Sequence, residues 1–345
     1  MPAEFERRIE AYFAQRVPQW RSFSVQSLAR IHGGASRETY RLSVSYTDAS
    51  GPRTRGLILR RDPVSTLIET EREVEFAAYR AFYGRGVPVP EALILERDPA
   101  PLDRPFFVME EIVGAKAASI LAADPYAPHQ AQIGEQFFGT LGRIAAAGVD
   151  AMDLPPAFVR PKPDTVWSQQ LDHWEAVIDA DELEPQPIVR AAIRWMRRHP
   201  PPAAERISFV HGDYRTGNFL FTDAGRIAAI LDWEMAHLGD PLEDLAWALD
   251  PLWSHNNPAR PAGMVDRATA IAHWERASGL TAGAAALRWW EMFAALKGAA
   301  IWISSAKEYQ SGSNTDPVMA FSGLYCLPYH NLVLARRLQA FARGD

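Results

Sequence analysis

Asp213, Asn218 and Asp232 stand five and fourteen residues apart, in Phe209-Val-His-Gly-Asp-Tyr-Arg-Thr-Gly-Asn-Phe-Leu220 and Ile230-Leu-Asp-Trp-Glu234. A carboxylate, an amide and a second carboxylate can hold a hydroxyl nucleophile and a divalent cation against a nucleoside triphosphate, the minimal polar equipment of phosphoryl transfer. Magnesium takes one or two oxygens from protein and the rest from phosphate and water. Asn218 and Asp232 suit that demand, which leaves Asp213 to orient an acceptor hydroxyl and take its proton.

Positioning these groups requires a hairpin. Phe219-Leu-Phe221 and Ile227-Ala-Ala-Ile-Leu231 read as apolar strands around the turn-forming Thr222-Asp-Ala-Gly225. Pairing them brings the loop His211–Asn218 at the entrance to Asp232 at the exit. Further on, Asp240, Pro241 and Glu243 fit the cap, first and third positions of a capping box, predicting a helix over Leu242–Leu249.

Before residue 112 the chain reads as a small sheet with one inserted helix. Phe23–Ile31, Tyr40–Tyr46, Gly56–Arg60, Ala92–Leu95 and Phe106–Met109 have strand character, with Gly51-Pro52 as a turn. Val74, Ala77, Ala78, Ala81 and Phe82 recur at helical spacing within Ile68–Tyr83. After Gly114 the pattern is mainly helical: Ile133–Ile144, Trp167–Ile178, Ile188–Arg198 and the aromatic-rich run Leu287–Tyr309. The expected division is residues 1–111 and 112–345, with the boundary near 111–116.

In the first part, Ile31-His-Gly-Gly-Ala-Ser-Arg-Glu-Thr-Tyr40 links two strands. Backbone N–H groups around Gly33, Gly34 and Ser36 could cover phosphates. Arg60 ends a strand, with Arg61 on the opposite face. Arginine stays charged and can pair bidentately with phosphate. It needs an acidic partner from the helix, and Glu73, four residues before Ala77, is the expected one.

The string His-Gly-Asp-x-x-x-x-Asn, a hairpin and Asp resembles the aminoglycoside phosphotransferase and choline kinase superfamily, relatives of protein kinases. The fuller HGDYRTGNFL…ILDWEMAHLGDPLEDLAW is most similar to kinase-like domains fused to some acyl-CoA dehydrogenases, and to related bacterial phosphotransferases. The resemblance runs from about residue 25 to at least 310. It implies an α+β, bilobal protein-kinase-like fold: an antiparallel-sheet N-lobe with one helix and a larger helical C-lobe.

It also implies ATP and Mg2+, with Asp213 as base and Asn218 and Asp232 as metal ligands. Arg215 would lie near the moving phosphate, and His211 and Asp244 would brace the catalytic loop. Arg60 stands where most of the superfamily has lysine. Phe106–Ile112 resembles the hinge, with Met109 behind the adenine and Glu110 and Ile112 offering backbone groups to its edge. Trp233-Glu234 replaces the Phe-Gly of protein kinases and disfavours a glycine-dependent flip. With no room for a long activation segment before Leu238-Gly-Asp-Pro, peptide acceptors are disfavoured.

For the acceptor, Pro317–Gly344 contains no Asp or Glu, while Arg336, Arg337 and Arg343 are basic. That suits an apolar or anionic alcohol, such as a hydroxyacyl thioester of coenzyme A, over a polycation. Trp289, Trp290, Phe293 and Trp302 read chiefly as core. The alternatives are a nucleotide-binding pseudokinase with a regulatory role and a true aminoglycoside O-phosphotransferase.

The bulk composition agrees. The 345 residues carry a formal charge of −6, with 48% hydrophobic and 23% charged residues, typical of a globular chain and unlike a nucleic-acid binder. The single Cys326 suits a reducing compartment and a core position. MPAEFERRIEAYFAQR reads as an amphipathic helix rather than a secretory signal. With no stretch approaching ~20 apolar residues, a cytoplasmic protein without membrane contact is expected.

Overall fold

The computed structural model describes residues 2–31, 38–62, 72–119 and 121–343. Gly33, Gly34 and Ser36 therefore lie outside the described residues.

The chain opens with α1 (Pro2–Arg16), followed by β1 (Arg21–Ile31), β2 (Glu38–Asp48) and β3 (Gly51–Arg61). Next come α2 (Arg72–Phe82), β4 (Ala92–Glu96) and β5 (Phe106–Glu110). The five strands form one antiparallel sheet in the order β1-β2-β3-β5-β4. Asp48 pairs with Gly51, so the β2–β3 turn is Ala49-Ser50 and Gly51-Pro52 already belongs to β3. Two-residue loops close hairpins tightly, and the pairing register places this one before the glycine.

Strand alternation divides the sheet into two faces. Leu57 and Leu59 join Leu42, Val44, Phe106 and Val108 under Ile9 and Phe13 of α1. Ile58, Phe107 and Met109 face α2, in a core continuous with the helical lobe. Arg60 shares the α2 side, while Arg61 packs over the Phe5 ring at 5.0 Å. The alternation thus decides which arginine can reach the site.

The second lobe contains α3 (Gln130–Ala146), α4 (Val166–Asp181), α5 (Pro187–Arg198), β6 (Ser208–Val210), β7 (Phe219–Phe221) and β8 (Ile227–Ile230). It continues with β9 (His237–Gly239), α6 (Leu242–Ala248), α7 (Arg267–Ser278), α8 (Ala284–Ser311), α9 (Pro317–Phe321) and α10 (Leu327–Arg343). The bilobal α+β architecture is the expected one. β7 and β8 form the hairpin, and β6 pairs with β9, so the two short ladders flank the catalytic loop. Trp289, Trp290 and Phe293 of α8 are buried, as core residues should be.

Two readings need correction. Asp240 accepts the Leu242 N–H at 2.9 Å, but Glu243 does not turn back to close a capping box; a buried cation, described below, holds it. The run Pro317–Arg343 is long and apolar enough, by length and composition, to cross a membrane, although core helices share that property. It lies against α8, with Leu327, His330, Val333 and Leu334 buried. Cys326 is buried where α9 passes into α10, and burial pushes its thiol up to about 11.

Candidate active site

β6 delivers the chain into His211-Gly-Asp213. Gly212 has φ +85°, and a Cβ there would stand 2.3 Å from the Met235 carbonyl oxygen, so the loop needs glycine for both backbone and space. Asp244, at the start of α6, accepts the N–H groups of His211 and Gly212 at 2.6 and 2.9 Å. The bracing role expected of Asp244 is therefore present. Burial, reinforced by the neighbouring Glu243 charge, raises its carboxyl to about 6 despite those two donors.

His211 is fully buried. Its Nδ1 accepts the Asp213 N–H at 3.2 Å and its Nε2 donates to the Leu231 carbonyl at 2.9 Å, a pattern that fits a neutral ring. The ring ties the entrance of the hairpin to its exit. Burial lowers its pKa to about 4, against the opposing influence of Asp213 and the Leu231 carbonyl. The unfolded chain takes this proton first, below about pH 6.5. The residue's contribution to stability is thus complete above that pH and is lost as pH falls towards 4. Ring nitrogen shifts followed by NMR should show His211 neutral at pH 5.5; half-protonation near 6.5 would contradict the brace.

The predicted trio converges. Asn218 Nδ2 donates to the Asp213 carbonyl at 2.9 Å and to Asp213 Oδ2 at 2.6 Å. With its nitrogen so engaged, the amide oxygen is the end left for a cation. Asp213 Oδ1 also accepts Trp247 Nε1–H at 2.8 Å and Arg215 Nε–H at 3.0 Å. Arg215 stacks over Trp253 at 4.9 Å, so this structure places it on Asp213.

Asp232 leaves β8 in the left-handed region, φ +68° and ψ +55°, which turns its side chain back across the cleft. Its N–H donates to the Tyr79 hydroxyl of α2 at 3.1 Å. Its carboxylate accepts both terminal nitrogens of Arg60 at 3.2 Å. Burial pushes the Asp232 carboxyl up, but the charges of Arg60 and Arg215 outweigh it and hold the pKa below the usual value. Trp233 behind it is fully buried, stacked on Phe82 at 5.0 Å and bonded to the Ile230 carbonyl, which fastens this turn. An ionised carboxylate and an amide oxygen form an oxygen-only donor set that fits magnesium.

The helix partner of Arg60 is Glu75, not Glu73. Glu75 is completely buried and pairs with Arg60, whereas Glu73 faces outward to Arg97 at 2.5 Å. Glu75 and Tyr79 are one turn apart on the face of α2 that meets the site, and that face was set by packing rather than by the apolar stripe. Burial lowers the Arg60 pKa while Glu75 and Asp232 raise it; the raising prevails and the side chain stays charged. Replacing Glu75 by glutamine should cost about 2 kcal/mol, because Arg60 keeps Asp232. The same change at Glu73 should be nearly neutral. Urea unfolding of the two variants checks the assignment.

At the proposed hinge, the Glu110 N–H donates to Glu91 and the Glu111 N–H to Gly56. Among the described residues, the Ile112 N–H has no hydrogen-bond acceptor, and Met109 lies buried on the α2 face. Lys116 already pairs with Phe221 of the second lobe.

Two functional neighbours escaped sequence reasoning. Trp247 sits three residues after Asp244, so one face of α6 supplies both contacts to the loop. Lys297 of α8 is almost fully buried and donates to the Gly212 carbonyl at 2.5 Å and Glu243 at 2.9 Å. Glu243 also accepts from His237 at 3.1 Å. Burial would push the Glu243 carboxyl up, but Lys297 and His237 draw it down to about 2. A single lysine within the apolar run Trp289–Ala306 was the available signal.

The sequence matches the model of the phosphotransferase enzyme family across residues 27–280. The chain belongs to that family. Among curated relatives, mouse acyl-CoA dehydrogenase family member 10 is 28% identical over 226 residues, covering 64% of this chain and 20% of the relative. Chicken acyl-CoA dehydrogenase family member 11 is 25% identical over 250 residues, covering 70% and 30%. The chain thus spans less than a third of the length of these relatives.

Two solved structures support the fold. A Ralstonia eutropha structure described as an aminoglycoside phosphotransferase aligns with TM-score 0.73 and 20% identity, covering 96% of this family member and 98% of that chain. Choline kinase LicA from Streptococcus pneumoniae aligns with TM-score 0.60 and 14% identity, covering 96% and 99%. At such identities the likeness concerns the fold alone. The family makes the chain a phosphotransferase, and its fold is kinase-like.

Proposed function

We propose that this phosphotransferase moves the γ-phosphate of ATP to a hydroxyl of a small molecule, with Asp213 as the base. The observation that carries this reading is the convergence of Asp213 and Asn218 with Asp232 at the hairpin, where the Leu231 N–H donates to the Asn218 carbonyl at 2.8 Å and Arg60 reaches Asp232 from across the cleft. Asp213 orients the acceptor hydroxyl and takes its proton as the new O–P bond forms and the bond to the ADP oxygen breaks. Trp247, Asn218 and Arg215 hold the carboxylate in place. Asn218 and Asp232 would hold magnesium, whose charge would offset that of the phosphate oxygens.

Arg60, fixed by Glu75, would meet the phosphates, and Arg215 would swing from Asp213 towards the transferring group. The Ile112 N–H, which has no acceptor among the described residues, suits an adenine edge. Structures with similar folds are described as complexes of aminoglycoside phosphotransferase APH(4)-Ia with AMP-PNP or ADP and hygromycin B, which supports nucleotide and small-molecule substrates here.

For the acceptor we favour a hydroxyacyl thioester of coenzyme A. Apolar Leu324 and Tyr325 lie exposed on a C-terminal segment without acidic residues, and the curated relatives are named as acyl-CoA dehydrogenase family members. A second reading, a nucleotide-binding pseudokinase, draws on Arg60 being engaged by Glu75, Asp232 and, at 3.9 Å, Glu234. Incubation with γ-labelled ATP, Mg2+ and parallel panels of hydroxyacyl-CoA compounds, aminoglycosides and choline tests both. Label on hydroxyacyl-CoA is expected; label on aminoglycosides alone would overturn the acceptor, and no transfer to any small alcohol would favour the pseudokinase.

A further inference from the structure

A cavity of about 800 Å³ lies not at Asp213 but on the far side of α2. Its volume falls within the range of small-molecule sites. Phe76, Ala77, Arg80 and Ala81 of α2 form one wall, and Leu93 and Leu95 of β4 another. Met152 and Leu154, from the loop after α3, close it from the second lobe, so the cavity bridges both lobes. Its mouth carries Arg16, Arg80 and Arg85, all exposed and without an ion pair among the described residues. Arg97 is also on the rim, already paired with Glu73, and Asp153 lines the cavity too, so the arginines outnumber the carboxylates four to two. Apolar walls below a surplus of arginine complement one chemistry: an anionic head on an apolar chain.

The same helix faces the catalytic site. Glu75 and Tyr79 point inward to Arg60 and Asp232, while Phe76, Ala77 and Arg80 line the cavity. We propose that this cavity is an effector site for an amphiphilic anion of the acyl-carboxylate class. A ligand touching α2, β4 and the 152–156 loop at once fixes α2 where Glu75 holds Arg60, and so tightens nucleotide binding. The link to nucleotide rests on the function proposed above; occupancy of the cavity does not.

Calorimetric titration of the full chain with decanoate is the test, with decyltrimethylammonium as the cationic control. Decanoate should bind and the control should not. Affinity should fall about tenfold or more in Arg80→Glu/Arg85→Glu, which removes charge-assisted contacts, and in Ala77→Trp, which fills the space. Thermal melts establish that each variant is folded, and the two alter the site independently. Saturating decanoate should also lower the Kd of a non-hydrolysable ATP analogue by about fivefold. No decanoate binding, or unchanged affinity in either folded variant, would overturn the site. Binding with no effect on the analogue would overturn the coupling, whereas failure of the analogue to bind at all would instead count against the nucleotide reading.

Discussion

Replacing Asp213 by alanine is expected to lower kcat for phosphoryl transfer by about 10²–10⁴-fold, the range for a positioned general base. The carboxylate is the common acceptor of Trp247, Asn218 and Arg215. Its removal leaves three donors around an empty position and nothing to receive the hydroxyl proton. Asp213→Asn separates the two effects, since it retains the shape and loses the base. Both variants should still bind an ATP analogue, because Arg60, Asp232 and the Ile112 N–H are untouched. Steady-state turnover measured alongside analogue affinity checks this, and retained turnover in either variant would remove Asp213 from the base role.

The largest loss of stability should come from Lys297→Met. The substitution roughly preserves volume but leaves the Glu243 carboxylate buried without its cation, a defect worth about 3–5 kcal/mol. His237 still donates to Glu243, which places the expected value towards the lower end. The Gly212 carbonyl loses its donor at the same time, so the catalytic loop loosens as well as the core. Urea unfolding should show a lower midpoint with an unchanged slope. Adding Glu243→Gln should restore part of the loss by removing the stranded charge. Equal stability of Lys297→Met and the parent would show that the pair contributes nothing net.

These contacts also mark what could be read from the chain. Asp213, Asn218 and Asp232 were legible because one hairpin connects them, so local pairing alone forces them together. The helices at Val166–Asp181, Pro187–Arg198 and Ala284–Ser311 were legible from periodic apolar residues. Glu75 was not. It and Glu73 are both acidic residues near the start of one helix, and which faces Arg60 depends on how Tyr79 and Phe82 dock against the second lobe. Lys297 meets Gly212 across 85 positions, and Trp247 meets Asp213 across 34, with no local pattern to announce either. The β2–β3 turn was displaced because a Gly-Pro pair is a strong turn signal that the strand register overrode. The C-terminal run lacks a stretch of ~20 consecutive apolar residues, whereas its mean hydropathy over a long helix is what makes it resemble a span.

The central claim is that the converging trio transfers phosphate from ATP to an alcohol. The most direct test is to incubate the protein with γ-labelled ATP, Mg2+ and hydroxyacyl-CoA, and to define the labelled product by mass and 31P NMR. The account predicts a phosphate monoester on the hydroxyl carbon, formed only with Mg2+ present and abolished by Asp213→Ala. Label recovered on an amine, a carboxylate or the protein itself, or ester formation that survives Asp213→Ala, would contradict it.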